Sequence, residues 1–133
     1  MRRNKGFTLV ELVVVVMILG ILAAVAAPKL LGTSTAATEN SLKHTLAVVR
    51  DAIERFTAET GSLPGATITT QLQPYLRGAF PKCPVGANKN NSVKAAASPP
   101  VGGTEGWLYD TATGAFSCNS NATDSVGAAY STY

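Results

Sequence analysis

Few side chains in this sequence have the types and spacing that catalysis requires. Cys83 and Cys118 are the two cysteines, and His44 is the one histidine. Cysteines without a C-x-x-C spacing do not predict a redox catalyst. A single histidine beside Lys43, with no acidic cluster or nucleophile, is typical of an exposed surface residue rather than a catalytic or metal-binding one. We therefore expect no catalytic residue, no metal site and no cofactor.

Glu11 is the ionisable residue whose position is unexpected. It lies in an apolar run, residues 7–27, that carries no other charge. A helix of this length measures about 31 Å, which matches a hydrocarbon core of roughly 30 Å. An ionisable group in hydrocarbon is costly unless it is paired, and it usually marks function. The sequence therefore predicts that Glu11 has a specific partner.

The charges around the apolar run predict its orientation. Arg2, Arg3 and Lys5 precede it, whereas Lys29 alone follows closely. The positive-inside rule places the N-terminus in the cytoplasm and the rest of the chain outside. Removing residues 1–6 deletes three of the 11 lysines and arginines and leaves eight, which equals the number of acidic residues. Because the remainder is neutral, we expect no nucleic acid partner.

Two ordinary N-terminal segments share these features. A secretory signal peptide has a basic start, an apolar stretch and a small-residue cleavage site, here AAVAA at residues 23–27. A signal anchor is a helix that only tethers the chain. Neither gives Glu11 a role, and the apolar pattern by itself leaves both open.

The stretch KGFTLVELVVVVMILGILAAVAAP resembles the N-terminal signature of type IV pilins and of the pseudopilins of type II secretion. The resemblance covers residues 5–28, and the rest of the chain shares only a general layout with that family. The matching residues are Gly6, Phe7, Glu11, Gly20 and Pro28.

The resemblance implies that prepilin peptidase cuts between Gly6 and Phe7 and methylates the new amino group of Phe7. Glycine suits this position because a residue without a side chain lets the backbone enter a narrow protease site. The resemblance also implies that Glu11 of an incoming subunit meets the Phe7 amine of a neighbour and fixes axial register. Gly20 and Pro28 weaken the helix, and the resemblance implies that the segment between them unwinds when subunits pack into a filament.

The function implied is that of a structural subunit of a type IV pilus or pilus-like filament, not an enzyme. The implied partners are other copies of itself or homologous pilins, prepilin peptidase, the inner-membrane assembly platform, and membrane lipid before assembly. The implied location is the bacterial inner membrane and then the filament. A type II secretion pseudopilin and a minor pilin that acts in adhesion or DNA uptake are the alternatives.

A second helical pattern follows the apolar run after a short polar break. It covers about residues 36–60, and Gly61 is a plausible C-cap. Such a stripe usually packs on the core of its own chain. The residues at helical spacing are Leu42, Leu46, Val49, Ile53 and Phe56.

The remaining sequence predicts a small β-containing domain. A turn around Leu72 is expected to lie on the core, and residues 86–105 are typical of a long surface loop. Alternation predicts a hairpin of residues 106–110 and 115–119, and the tail after residue 123 is expected to add an edge strand. The aromatic residues expected in the core are Trp107, Tyr109 and Phe116.

Both cysteines follow the apolar run, so this topology places them in an oxidising compartment. A disulfide between Cys83 and Cys118 would close about 36 residues and contribute about 4 kcal/mol in the chain-entropy model. We expect this bridge to join the connector to the hairpin. Two free thiols are the alternative.

The expected fold class is α+β and pilin-like. A long N-terminal helix, with a membrane-spanning half and an amphipathic half, is expected to pack on a small antiparallel sheet. The expected segments are a cleaved leader (1–6), a filament-core helix (7–28), an amphipathic helix (29–61) and a globular domain (62–133).

Overall fold

The computed structural model describes residues 6–133, apart from the side chain of Leu31. Contacts divide the chain into two compact units, one ending at Thr35 and one from Ala36 to Tyr133. The α+β class is confirmed. The elements are helix α1 (Leu9–Thr60), helix α2 (Ile68–Gln71), a 3₁₀ turn (Gln73–Tyr75), strands β1 (Val93–Ala96), β2 (Trp107–Asp110) and β3 (Phe116–Cys118), and a 3₁₀ turn (Tyr130–Thr132).

Helix α1 is continuous from Leu9 to Thr60, which confirms the expected long helix with two halves, and the polar break after Pro28 does not interrupt it. The segments on either side of the break both form helix, and extending a helix costs less than starting a second one. The polar residues between them are compatible with helix. The Thr33 hydroxyl, for example, donates a hydrogen bond of 2.9 Å to the Lys29 carbonyl one turn earlier.

The second half of α1 packs on the core through the predicted stripe. Leu42, Leu46 and Val49 are at most 2% exposed, which confirms their place in the core. The helix is followed by Gly61, whose φ of 74° is left-handed and whose N–H donates to the Thr57 carbonyl at 2.9 Å. This geometry confirms the predicted C-cap.

The sheet has the order β1-β2-β3 and is mixed, so the expectation of a wholly antiparallel sheet is wrong. Strands β2 and β3 form the predicted antiparallel hairpin, in which Trp107 lies opposite Cys118. Strand β1 is parallel to β2, with Val93 opposite Trp107. The direction differs because residues 97–106 return the chain to the starting end of the sheet instead of reversing it in a tight turn.

Strand β1 lies inside residues 86–105, so the prediction of one long loop there is wrong. Its sequence, VKAA, has no apolar alternation, and pairing with β2 rather than local pattern makes it a strand. The rest of the segment is held by side-chain amides. The Asn90 amide donates to the Thr104 carbonyl at 2.8 Å, and the Asn119 amide donates to the Glu105 carbonyl at 2.7 Å.

The aromatic core is confirmed, since Trp107, Tyr109 and Phe116 are at most 1% exposed. The polar atoms of the first two are satisfied. The Trp107 indole donates to the Pro81 carbonyl and the Tyr109 hydroxyl donates to the Pro64 carbonyl, both at 2.9 Å. These bonds tie the connector after α1 to the sheet.

Two further expectations concern the ends of the domain. Leu72, which follows α2, is completely buried, which confirms that this turn lies on the core. The tail does not add a strand to the sheet. It forms a single bridge between Thr123 and Ala129 and then the 3₁₀ turn, in which Tyr130 is buried.

Candidate processing and assembly site

The first turn of α1 is closed by a reciprocal pair of hydrogen bonds between Thr8 and Glu11. The Glu11 carboxylate accepts from the Thr8 backbone N–H at 2.9 Å and from the Thr8 hydroxyl at 2.8 Å. The Glu11 N–H donates to the Thr8 hydroxyl oxygen at 3.2 Å. This is a capping box, and its T-x-x-E pattern is the sequence signal that could have predicted Thr8 as a partner of Glu11.

Gly6 and Phe7 precede this cap and lie outside any regular element. Phe7 is 85% exposed, and a side chain added at Gly6 would meet no atom within 4 Å. Within the described chain, therefore, no packing requires glycine at position 6. The other leader residues, 1–5, lie outside the described residues.

The first half of α1 exposes apolar side chains on all its faces. Every large apolar residue whose side chain is described between Leu9 and Leu30 is at least 48% exposed. An 18-residue window of α1 has a mean hydropathy of 2.9, and none of its residues is buried. By length and composition this helix can cross a membrane, and its surface needs either lipid or other apolar helices to cover it.

Gly20 and Pro28 both lie within the continuous helix. A side chain added at Gly20 would meet no atom within 4 Å, so the described chain offers no packing reason for this glycine. Pro28 has no N–H, and the Ala24 carbonyl one turn earlier therefore lacks its helical donor. Both residues weaken the same stretch, although the structure keeps it helical.

The two cysteines meet in the core of the second unit. Their sulfurs lie 3.1 Å apart as thiols, and the residues are 1% and 0% exposed. The hydrogen bond between the sulfurs lowers the pKa of Cys83, and the same bond together with burial raises the pKa of Cys118. The sequence identified this pair as a candidate, and the fold brings the two residues together.

The tail is fixed to α1 by contacts that the sequence did not predict. We call residues 123–133 the C-terminal clasp. The buried Glu39 carboxylate accepts from the Ser125 N–H at 2.8 Å and from the Ser125 hydroxyl at 2.9 Å. Arg50 donates to the Tyr133 carbonyl, and it also donates to the Phe116 carbonyl at 2.8 and 3.1 Å. Both contacts join residues far apart in sequence.

Within the clasp, Asp124 and Tyr133 form a side-chain pair that changes the pKa of both residues. The Tyr133 hydroxyl donates to the Asp124 carboxylate. This bond, followed by desolvation, raises the pKa of Tyr133 to about 12, and it is the main cause of the lowered pKa of Asp124. The Lys43 ammonium lies 5.2 Å from the centre of the Tyr133 ring, a distance typical of a cation–π contact.

The structure places His44 on the exposed surface of α1, away from the buried stripe. Among residues 6–133, no group of three histidine, cysteine or acidic side chains is arranged to hold a metal ion.

Comparison with known proteins confirms the resemblance drawn from the N-terminal signature. Residues 1–27 match the family described as the prokaryotic N-terminal methylation motif. The chain is 39% identical over 62 residues to a type IV narrow pilus major component of Thermus thermophilus, which is 47% of this chain and 53% of the relative.

Two other relatives come from different machines. The type IV major fimbrial protein of Dichelobacter nodosus is 34% identical over 96 residues, 72% of this chain and 49% of the relative. The type II secretion system core protein G of Klebsiella pneumoniae is 33% identical over 64 residues, 48% of this chain and 46% of the relative. This chain thus spans about half the length of the curated relatives it matches. No solved structure matches it.

Proposed function

We propose that this protein is a structural subunit of a type IV pilus or pilus-like filament. The observation that carries the proposal is the N-terminal methylation motif directly followed by a helix whose apolar surface is uncovered. The relatives are structural pilin and pseudopilin proteins. Such a subunit needs no catalytic site, because its function is to assemble with other subunits into a filament.

In this proposal, prepilin peptidase removes residues 1–6 and methylates the amino group of Phe7. The exposed, non-helical backbone at Gly6 and Phe7 supports this step, since a protease binds extended chain more readily than helix. The cut leaves the Thr8–Glu11 cap intact. The apolar helix therefore remains on the mature subunit.

Glu11 has two successive partners in this proposal. Before assembly, its carboxylate accepts the two Thr8 hydrogen bonds, which satisfy it at the helix end. During assembly, the Phe7 amine of a neighbouring subunit supplies the opposite charge. A buried carboxylate that is paired with a cation fixes register, because a displaced pair would leave both charges uncompensated in an apolar medium.

The apolar helix stores the subunit in the inner membrane until the assembly platform transfers it to the filament. The proposed orientation has a cytoplasmic N-terminus and places the second unit outside. Lipid covers residues 7–28 in the first state, and the same helices of neighbouring copies cover them in the second. Gly20 and Pro28 let the stretch between them unwind as the helices pack.

The proposed orientation exposes Cys83 and Cys118 to an oxidising compartment, where we assign them as a disulfide. The Cys83 thiolate attacks a disulfide of a protein oxidant and forms a mixed disulfide. Cys118 then displaces the oxidant, which leaves as a dithiol carrying the two electrons. The adjacent, buried sulfurs support this pairing.

A type II secretion pseudopilin is the second candidate, because core protein G of that system is among the relatives. The pilin is preferred because the match to the fimbrial relative reaches 72% of this chain. Abundance separates the two. A major pilin forms filaments that can be sheared from cells in quantity, whereas a pseudopilin or minor pilin remains mostly with the membrane.

The test is intact mass and N-terminal sequencing of material sheared from native cells, compared with the membrane fraction. Chains that begin at methylated Phe7 in abundant sheared filaments would support the proposed pilin. Processed chains confined to the membrane would favour the pseudopilin or a minor pilin. Chains that retain Met1 or begin near Ala27 would overturn the proposal.

A further inference from the structure

Arg77 is an exposed cation on the connector that follows the first 3₁₀ turn. It lines a groove of about 420 Å³ together with Val48, Leu76 and Pro81. Within the described chain, its guanidinium has no hydrogen bond or ion pair. The acid that lines the groove, Asp51, is already paired with Arg55 at 2.9 Å. The groove therefore presents an available guanidinium.

Glu54 is an exposed acid with no side-chain hydrogen bond or ion pair among residues 6–133. It lines a cleft of about 330 Å³ between α1 and the turn of the hairpin, beside Thr113 and Gly114. The cation in this cleft, Arg50, directs its guanidinium to the carbonyls of Phe116 and Tyr133. Among the residues that line this cleft, the Glu54 carboxylate is thus the charged group free to bind a group from another molecule.

The groove and the cleft lie on opposite sides of the buried stripe of α1. On the groove side, the Phe56 and Tyr75 rings pack with centres 6.0 Å apart, and the Tyr75 hydroxyl donates to Glu59 at 2.6 Å. On the cleft side, Arg50 reaches the Phe116 carbonyl. Arg77 and the Glu54 of its own chain therefore line different cavities, but two copies side by side can bring these residues together.

We propose that Arg77 of one copy enters the Glu54 cleft of the next copy and forms an ion pair there. This inference rests on the proposed filament function. The contact is heterologous, since each copy gives its groove side to one neighbour and its cleft side to another. Heterologous contacts build rings or open helical filaments rather than closed twofold dimers. A guanidinium suits the cleft because it bonds a carboxylate through two parallel N–H groups.

A charge-reversal cycle in the full-length protein tests the pair. We expect Glu54→Arg and Arg77→Glu each to lower the yield of sheared filaments about tenfold, because like charges then face each other between copies. The double variant is expected to restore most of the yield, since the pair is re-formed with its charges exchanged. Lys82→Glu is the matched control, because Lys82 is exposed on the same connector and lines neither cavity.

The outcomes of this cycle are distinct. Rescue by the double variant, with a normal Lys82→Glu control, supports the pair. If the double variant loses as much yield as the two single variants, the pair is overturned. An equal loss in the Lys82→Glu control also overturns it, because it would indicate a general effect of net charge. A wild-type protein that makes no filament in the same cells overturns the proposed function as well.

A cross-linking measurement covers the case in which a reversal lowers subunit levels in the membrane. A chain carrying both Glu54→Cys and Arg77→Cys is treated on intact cells with a short thiol cross-linker, which reacts with the exposed new thiols and not with the native cysteines, which are buried and assigned as a disulfide. The heterologous contact predicts a ladder that extends beyond the dimer. Products that stop at the dimer, or a ladder from either single variant, would contradict the arrangement.

Discussion

At the scale of single residues, Glu11 shows how one side chain can serve two states. In the free chain it closes the capping box with Thr8, so its carboxylate has hydrogen-bond donors before any neighbour arrives. In the proposed filament, the Phe7 amine of another copy would replace those donors and exchange a local contact for one between subunits. Under the proposed function, processing and assembly would therefore depend on different residues within the same short stretch.

Substitutions at Gly6 and Glu11 separate these two steps. We expect Gly6→Leu to remain uncleaved, because a large side chain blocks entry to the peptidase. Glu11→Ala should be cleaved at the wild-type position yet yield few filaments, since the Phe7 amine then has no buried partner. Electrophoresis of membranes and sheared fractions measures both. Abundant filaments from either variant would contradict the mechanism.

The pair formed by Tyr133 and Asp124 predicts two pH windows for the stability of the clasp. The raised pKa of Tyr133 means that its contribution is complete below the unfolded value of about 10 and is lost as the pH rises through about 12. The lowered pKa of Asp124 means that its contribution is present above about pH 4 and is lost as the pH falls through its lower folded value.

The measurement is an ultraviolet titration of tyrosinate, with unfolding of the full chain in detergent followed in parallel. Tyr133→Phe is the control, because it keeps the ring over Lys43 and removes the hydroxyl. This variant should lose the highest tyrosine titration and the alkaline fall in stability. If its titration matched that of the wild type, the bond to Asp124 would not be the cause.

At the scale of elements, α1 consists of two segments whose apolar side chains differ in burial. Up to Leu30 its apolar side chains are exposed, whereas after Ala36 its apolar stripe is buried against the sheet and the connector. The same helix thus presents an uncovered apolar surface in one unit, the proposed assembly surface, and supplies part of the core in the other. Core substitutions should therefore act on the second unit alone.

Leu46→Ala tests the role of the buried stripe. We expect it to lower the free energy of unfolding by about 2–5 kcal/mol, because it leaves a cavity under the sheet. Val48→Ala is the matched control, since Val48 is 41% exposed on the same helix, and it should cost about 0.5 kcal/mol or less. Equal effects in chemical unfolding of the two variants in detergent would show that the stripe is not the core.

At the scale of the whole molecule, the second unit is held by contacts between distant segments. The cysteine pair joins the connector to β3, and the clasp joins the tail to α1 through Glu39 and Arg50. A small domain buries limited apolar surface, so a covalent link adds a large share of its stability. If the protein has the proposed topology and disulfide, oxidation after export would complete the fold only outside the cytoplasm.

The disulfide makes a measurable prediction. Intact mass after alkylation should show no free thiol in protein taken from cells, and two thiols after denaturation with reductant. The Cys83→Ser, Cys118→Ser double variant should lose about 4 kcal/mol in the free energy of unfolding, the value of the chain-entropy model. Full alkylation without reductant would show that the cysteines remain thiols, and the predicted stabilisation would then be absent.

The sequence by itself determined the features that depend on local pattern. The N-terminal motif, the apolar run, the stripe from Leu42 to Ile53, the Gly61 cap and the hairpin each follow from residue type and spacing within about twenty residues of chain. The cysteine pair was a candidate by elimination, since only two cysteines occur.

Only the tertiary structure decided the features that depend on distant partners. Strand β1 became a strand by pairing with β2, and its parallel direction followed from the path of residues 97–106. Glu39 and Arg50 bond to partners in the clasp, and Glu54 and Arg77 line two different cavities beside α1. Local sequence does not encode such positions, because they arise where segments far apart along the chain pack on one core.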